Sequence, residues 1–368
     1  MLSYAKAFRM PSRILPDSSM LSGFLFSDFP FFAFVTLATE MCMRYDHADS
    51  SADSYNTLDP MQLHSMHHFI DMRTCRPKRG RPKMDSIKLN TGTFMPMEGF
   101  GVFRVPDKEE CRRSVLEAIR IGYRLIDTAA VYTNEDAVGE AVRQAINEGI
   151  CTREELFITS KLWVTDMRNE DTARRAIDTS LRKSGLDYFD LYLVHQALAD
   201  YFAGWRAMEE AYHDGRLKAI GVSNFYPNIL TNFCETVNVI PAVNQVELHP
   251  WYVQAGALET MKHYGVVPEA WAPLGGGRYT FEDTVLTAIA AAHSKTVGQV
   301  MLRWNVQRGV VVIPKSTHVE RIRENLDIWD FTLAEDEMNA IASLDMGYTG
   351  SRAKHFDPAF VRQCFGKK

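Results

Sequence analysis

Four side chains able to move protons or polarise a carbonyl follow short apolar runs. Asp127 and Tyr132 lie in "YRLIDTAAVYTNE" (123–135), Lys161 ends "FITSK" and His195 falls in "DLYLVHQ". Leu125 and Ile126 read as buried strand, so the carboxylate after them needs a partner; an unpaired buried charge is costly. Lys161 closes the next apolar run, and neighbouring strands lie about 5 Å apart, which brings an Asp–Lys pair within reach. Such a pair alone is structural. Tyr132 changes the reading. A phenol has a pKa of about 10, and a nearby ammonium is expected to lower it, making Tyr132 a tunable general acid. His195 alone reads as a satisfied buried histidine; beside the other three it can hydrogen-bond a carbonyl oxygen. The set donates a proton and polarises a carbonyl, without a metal-ligand set or an acyl nucleophile.

Elements that could position these groups recur from Met84 onward. Strands are expected at 98–102, 124–127, 157–160, 190–194, 218–222, 242–245, 268–272 and 310–313, each followed by an amphipathic helical stretch. In 107–122 Val115, Leu116, Ala118 and Ile119 form one apolar stripe, and 169–185 ends in basic residues and a glycine, as a helix C-terminus does. Eight strand–helix units predict an α/β fold, a parallel (β/α)8 barrel, with "SIKLN…FMPM" as an N-terminal hairpin across its bottom. A Rossmann fold needs GxGxxG after its first strand; "GFGVFR" puts Arg104 at the last glycine position, and "GGGRYT" follows a late strand and lacks the third glycine. In such barrels chemistry sits at the C-terminal strand ends. Those ends read Gly101-Val102-Phe103, Asp127 then Tyr132, Lys161, His195, Ser223-Asn224, Gln245, Trp271 and Lys315-Ser316. So many polar groups converging on one rim are hard to read as packing.

The 368 residues are 46% hydrophobic and 24% charged, with a formal net charge of −5. This is globular composition with no call for a polyanionic partner. Six scattered cysteines without a CxxC pair read as reduced thiols of a cytoplasmic protein. Residues 1–83 differ: they are rich in Met, Ser, Phe and His, show no sustained period, and read as a poorly ordered extension before a domain at 84–368. Met84 is a plausible alternative start. The apolar run 31–39 is too short to span a bilayer and lacks a signal-peptide cleavage site. His64, His67 and His68 read as a solvated patch, and "KRGRPK" (78–83), which resembles an AT-hook, reads as a charged linker. Neither membrane nor nucleic acid is expected as a partner.

Together these motifs resemble the aldo-keto reductases, in order, from Met84 to Phe360. "YRLIDTAAVYTNE", "ITSKLW" and "LYLVHQ" carry the family's Asp, Tyr, Lys and His, and "IGVSNF", "VNQVELHP" and "IPKSTHVERIRENL" its cofactor motifs. "EAWAPLGGG", with Trp271 where many relatives carry Tyr, and "HFDPAFV" look like the microbial 2,5-diketo-D-gluconate reductase branch. The resemblance implies NADPH across the barrel mouth. It implies that Trp271 stacks on the nicotinamide while Ser223, Asn224 and Gln245 bond its carboxamide. Lys315, Ser316, Thr317 and Arg321 then hold the 2′-phosphate, Glu324 and Asn325 lie near the adenine, and Leu274, Gly275 and Gly276 line the pyrophosphate. Gly101, Val102, Phe103, Ala272 and Pro273 complete the cofactor contacts. Phe103, Trp163 and His195 are expected at the substrate, with barrel packing an equal reading for Trp163. Val102 stands where many relatives have Thr, and Gln196 where Trp is frequent; both weaken any transfer of substrate preference. The implied activity is NADPH-dependent reduction of aldehydes or ketones by a monomer. The alternative is a non-catalytic NADPH-binding protein on the same barrel, for which Tyr132 with Lys161 has no use.

Overall fold

The computed structural model describes residues 84–279, 281–348 and 355–366. The expected extension, the run 31–39, the histidines at 64–68 and the basic run 78–83 lie outside the described residues.

Strands β1 (Ser86–Lys88) and β2 (Phe94–Pro96) pair antiparallel, with Ile87 opposite Met95. Their turn is pinned beneath the barrel, where Asn90 Nδ2 donates to the carbonyls of Ile240 and Pro241 at 3.1 Å each. The expected hairpin is therefore present. Eight parallel strands follow in chain order: β3 (Gly99–Gly101), β4 (Leu125–Asp127), β5 (Phe157–Leu162), β6 (Leu191–Val194), β7 (Ile220–Ser223), β8 (Val243–Glu247), β9 (Val267–Trp271) and β10 (Val311–Val312). A parallel bridge between Glu98 and Val312, with Val312 N–H donating to the Met97 carbonyl at 3.0 Å, joins the last strand to the first and closes the barrel. Every expected strand is found. One boundary differs in a way that matters. β5 was expected to stop at Ser160, but Lys161 and Leu162 pair with Leu193 and Val194 of β6, so the ladder holds the Lys161 backbone rigidly.

Helices cover the barrel's outside, and their ends follow local chemistry. Asp107 caps Lys108–Ile121 by accepting from Glu110 N–H at 2.7 Å, and its expected stripe Val115, Leu116, Ala118 and Ile119 is buried. Asn169 and Thr172 form a reciprocal capping box on Glu170–Ser184, which ends in left-handed Gly185. Helix Glu135–Asn147 approaches that end so closely that a Cβ on Gly139 would lie 1.7 Å from the Ser184 carbonyl oxygen. Among the described residues, Cys111, Cys151, Cys234 and Cys364 are buried. No helix among them is long and apolar enough to cross a membrane.

Candidate active site

β4 delivers Asp127 into the barrel, and the loop after it aims Tyr132. That loop folds as a 3-10 turn, Ala130–Tyr132, ended by left-handed Thr133. Asn134 locks the turn to the preceding strand's loop: its Nδ2 donates to the carbonyls of Val102 (3.1 Å) and Val105 (3.2 Å), and its Oδ1 accepts from Thr128 Oγ1 (2.8 Å). Lys161 Nζ lies 5.1 Å from the Tyr132 ring centroid. The ammonium donates to Asp127 Oδ1 at 2.6 Å and to the Thr128 carbonyl at 2.9 Å, and both charged side chains are sealed from solvent. The expected Asp127–Lys161 pair is thus formed. On the opposite wall, Gln245 and Glu269 are register partners on β8 and β9. Gln245 Nε2 donates across the interior to Asp127 Oδ2 and sideways to Glu269 Oε2, each at 2.9 Å.

The electrostatics depart from expectation at Tyr132. Lys161 does act to lower the phenol's pKa, but burial outweighs it and pushes the value up to about 12. Desolvation penalises the phenolate more than one ammonium, shared with Asp127, can repay. Tyr132 is therefore a firmly protonated donor at neutral pH. Burial opposes the charge on Lys161, yet Asp127, Tyr132 and Glu269 together raise its pKa, so it stays cationic. Burial, then the Lys161 charge, hold His195 well below its ordinary value and keep it neutral.

His195 follows β6, its backbone N–H bonded to the Leu162 carbonyl at 3.1 Å. Its ring meets Tyr132 edge-on at 5.6 Å and Trp163 at 5.0 Å, and the exposed Phe103 ring tilts onto Tyr132 at 5.0 Å. Trp163 is half-buried, so the packing and pocket readings meet in one side chain. Beside them Asn224, left-handed at φ 64°, donates to the His195 carbonyl and accepts from Trp271 Nε1 at 2.9 Å. Ser223 Oγ donates to the Gln245 carbonyl at 2.8 Å. Asp127, Tyr132, Lys161 and His195 therefore form one connected rim with these amides and the indole.

The remaining expected cofactor residues fit a flat ring, an amide, a pyrophosphate and a phosphate in turn. Trp271 is half-buried, leaving indole surface open, and Gln245 turns both amide hydrogens to carboxyl oxygens of Asp127 and Glu269, leaving its own oxygen as the acceptor. Ala272 is left-handed before Pro273 and Leu274, and Gly275 and Gly276 are left-handed in a tight turn where a Cβ on Gly275 would lie 2.8 Å from Tyr279. The loop after β10 abuts β3, with Gly101 N–H bonded to the Pro314 carbonyl at 3.1 Å; Val102 is buried. Lys315 and Arg321 are exposed, Ser316 Oγ accepts from His318 N–H, and Thr317 is half-buried. Glu324 accepts from Thr296 Oγ1 at 2.7 Å, and Asn325 is buried.

Two residues at the rim escaped sequence reasoning. Glu269 is fully buried, and its signal was a charge inside an otherwise apolar strand. His355, in the C-terminal segment, bonds Tyr226 Oη at 3.0 Å and lies 6.5 Å from Trp271, ring to ring. Burial lowers its pKa to about 4. Nothing local in "HFDPAFV" says which rim group it meets. Among the described residues no group of acids, histidines or cysteines could hold a metal.

A profile described as "Aldo/keto reductase family" matches residues 89–346. The glyoxal reductase of Bacillus subtilis is 46% identical over 262 residues, covering 71% of this chain and 93% of that protein. The methylglyoxal reductase DkgA of Escherichia coli is 42% identical over 265 residues, 71% of this chain and 94% of that one. The crystal structure of a Bombyx mori aldo-keto reductase in complex with NADP superposes with TM-score 0.70 at 35% identity, covering 75% of this chain and 96% of that chain. The matched residues span the closed barrel and Asp127, Tyr132, Lys161 and His195, and the chain belongs to the aldo/keto reductase family.

Proposed function

We propose that the protein is an NADPH-dependent reductase of small aldehydes and ketones, acting on dicarbonyls of the glyoxal and methylglyoxal type or on keto-sugars. The observation that carries this reading is the sealed Asp127–Lys161 pair beneath a protonated Tyr132 and beside a neutral His195. Bound nicotinamide supplies the hydride. Tyr132 gives its proton to the carbonyl oxygen as negative charge develops there, and Lys161, 5.1 Å from its ring, stabilises the phenolate left behind. Asp127 and the Thr128 carbonyl hold Lys161 in place. His195 Nδ1 is sealed without a partner; a buried donor lacking an acceptor is the rarer arrangement, so the ring proton belongs on Nε2, free to bond the carbonyl. Phe103 and Trp163 form the apolar walls.

The residues proposed for the cofactor are those named above, from Gly101 to Phe103, Ser223, Asn224, Gln245, Trp271 to Gly276, Lys315, Ser316, Thr317, Arg321, Glu324 and Asn325. The catalytic domain is 84–368, acting as a cytoplasmic monomer, and the basic run 78–83 plays no part in the reaction. Absorbance loss of NADPH with aldehydes, dicarbonyls, keto-sugars and steroid or prostaglandin ketones tests the reading. Turnover with dicarbonyls or keto-sugars supports it; NADPH binding without turnover of any carbonyl overturns it in favour of a binding protein.

A further inference from the structure

Glu269 sits in the polar layer of the barrel interior without a role in the reaction as described. Its side chain is fully buried, Oε2 accepts from Gln245 Nε2, and Oε1 has no hydrogen-bond partner. The same Gln245 nitrogen bonds Asp127 Oδ2, so two carboxyl groups face each other across one NH2 group. A single cation, Lys161, lies near both. The titratable groups facing Glu269 are Asp127 from β4, Tyr132 from the turn after it, and Lys161 from β5.

We propose that Glu269 is a positioning residue of the reductase, orienting the Gln245 amide and setting the proton-donating strength of Tyr132 by whether its carboxyl is charged. With Glu269 neutral, Lys161 and Asp127 balance, and the phenolate formed in the reaction is the only uncompensated charge. With Glu269 ionised, the layer already holds an extra negative charge before Tyr132 gives up its proton. That charge opposes phenolate formation, and Tyr132 becomes a weaker acid. Burial and the Asp127 charge push the Glu269 carboxyl up to about 8, so this switch falls within the pH range of ordinary assays. Gln245 links the two effects. Both its hydrogens are taken by carboxyl oxygens, which fixes its amide oxygen as the acceptor offered to the rim.

The proposal rests on the reductase reading, and two measurements keep their failures apart. Infrared difference spectra of wild type and Glu269→Gln, with Glu98→Gln as control for the buried glutamate beside β3 whose carboxyl is also pushed up to about 8, follow the protonated carboxyl band between about pH 6 and 10. A band lost near the expected ionisation in wild type and absent from Glu269→Gln places the titration on Glu269, with or without turnover. The pH profile of carbonyl reduction then reads its effect. In wild type kcat falls through that ionisation to a plateau roughly 10- to 100-fold lower, as expected for one added charge at this range. In Glu269→Gln, which keeps shape and neutrality, kcat at neutral pH stays within several-fold of wild type and the fall moves to higher pH. Glu269→Asp, which keeps the titratable group, retains the fall and serves if the glutamine variant does not fold. A wild-type fall unchanged in Glu269→Gln, a uniform loss at all pH values, or a carboxyl already ionised at pH 6 overturns the proposal. A titrating band in a protein that turns over no carbonyl overturns the reductase reading instead.

Discussion

Lys161 is sealed inside the barrel with its ammonium 2.6 Å from Asp127, whereas Lys315 and Arg321, on the loop and helix after β10, are exposed and form no ion pair among the described residues. The two regions face one mouth and are prepared in opposite ways. Proton transfer needs groups already aimed and desolvated, because a fixed charge in a low-dielectric site acts without reorganising. The arrangement around Tyr132 meets that need through hydrogen bonds that cross the barrel. Cations proposed to meet a phosphate have the reverse requirement. Kept hydrated, they cost the folded protein little, and they gain a strong charge-assisted bond only when the dianion arrives. Substitution on the buried side should therefore damage chemistry and fold together; on the open side it should affect one ligand alone.

The largest effect is expected from Tyr132→Phe. Removing the hydroxyl should cut kcat roughly 10²- to 10⁴-fold while NADPH binding, followed by fluorescence titration, stays close to wild type. Retention of most turnover would remove Tyr132 from the mechanism and the contrast with it. Lys161→Met sharpens the contrast by joining both penalties. It should lower kcat comparably and, by leaving Asp127 buried without its cation, cost about 3–5 kcal/mol of stability, measured by urea unfolding. A variant as stable as wild type would show that Gln245 satisfies Asp127 by itself.

Arg321→Ala probes the open side. A hydrogen bond to a charged group contributes about 1.5–3 kcal/mol, so NADPH affinity should weaken roughly 10- to 150-fold, with NADH affinity and unfolding unchanged. Equal weakening of both cofactors would make Arg321 a structural residue. A smaller effect separates the rim from the opposite pole of the barrel. Glu98, beneath β3, accepts from Trp329 Nε1 (3.0 Å) and Tyr123 Oη (3.3 Å), and burial pushes its carboxyl up to about 8. Because this pKa is raised on folding, the associated stability is complete below the ordinary carboxylate range and is lost as pH rises through about 8. Glu98→Gln should flatten the fall of the urea midpoint with rising pH and leave the kcat profile unmoved; a changed kcat profile would link the two poles. The smallest effect belongs to truncation. A chain beginning at Met84 should fold and reduce carbonyls as the full chain does, and loss of solubility or activity would place part of 1–83 in the fold.

The outline of this barrel was legible because each strand and helix writes its own period and punctuation. Val115, Leu116, Ala118 and Ile119 announce a helix face, and Asn169 and Gly185 mark the ends of another. Strand ends were legible as well, since Asp127, Lys161 and His195 each follow an apolar run. The full extent of β5 was not, because Leu162, beyond Lys161, belongs to the strand only through its ladder with β6.

By itself the sequence determined the order of elements, the closed parallel architecture and the gathering of Asp127, Lys161 and His195 at one end of the strands. These depend on local pattern and on a barrel's habit of gathering strand ends. Tertiary structure alone decided how those groups behave. Gln245 reaches Asp127 across 118 positions of chain, and Glu269 shares its amide; periodicity says which face is buried, not which residues meet there. The sign of the Tyr132 shift was decided in the same way. Type and spacing pointed to a phenol made more acidic by Lys161, but a pKa sums the neighbour's charge and the loss of water, and only the packed barrel fixes how completely the water is gone.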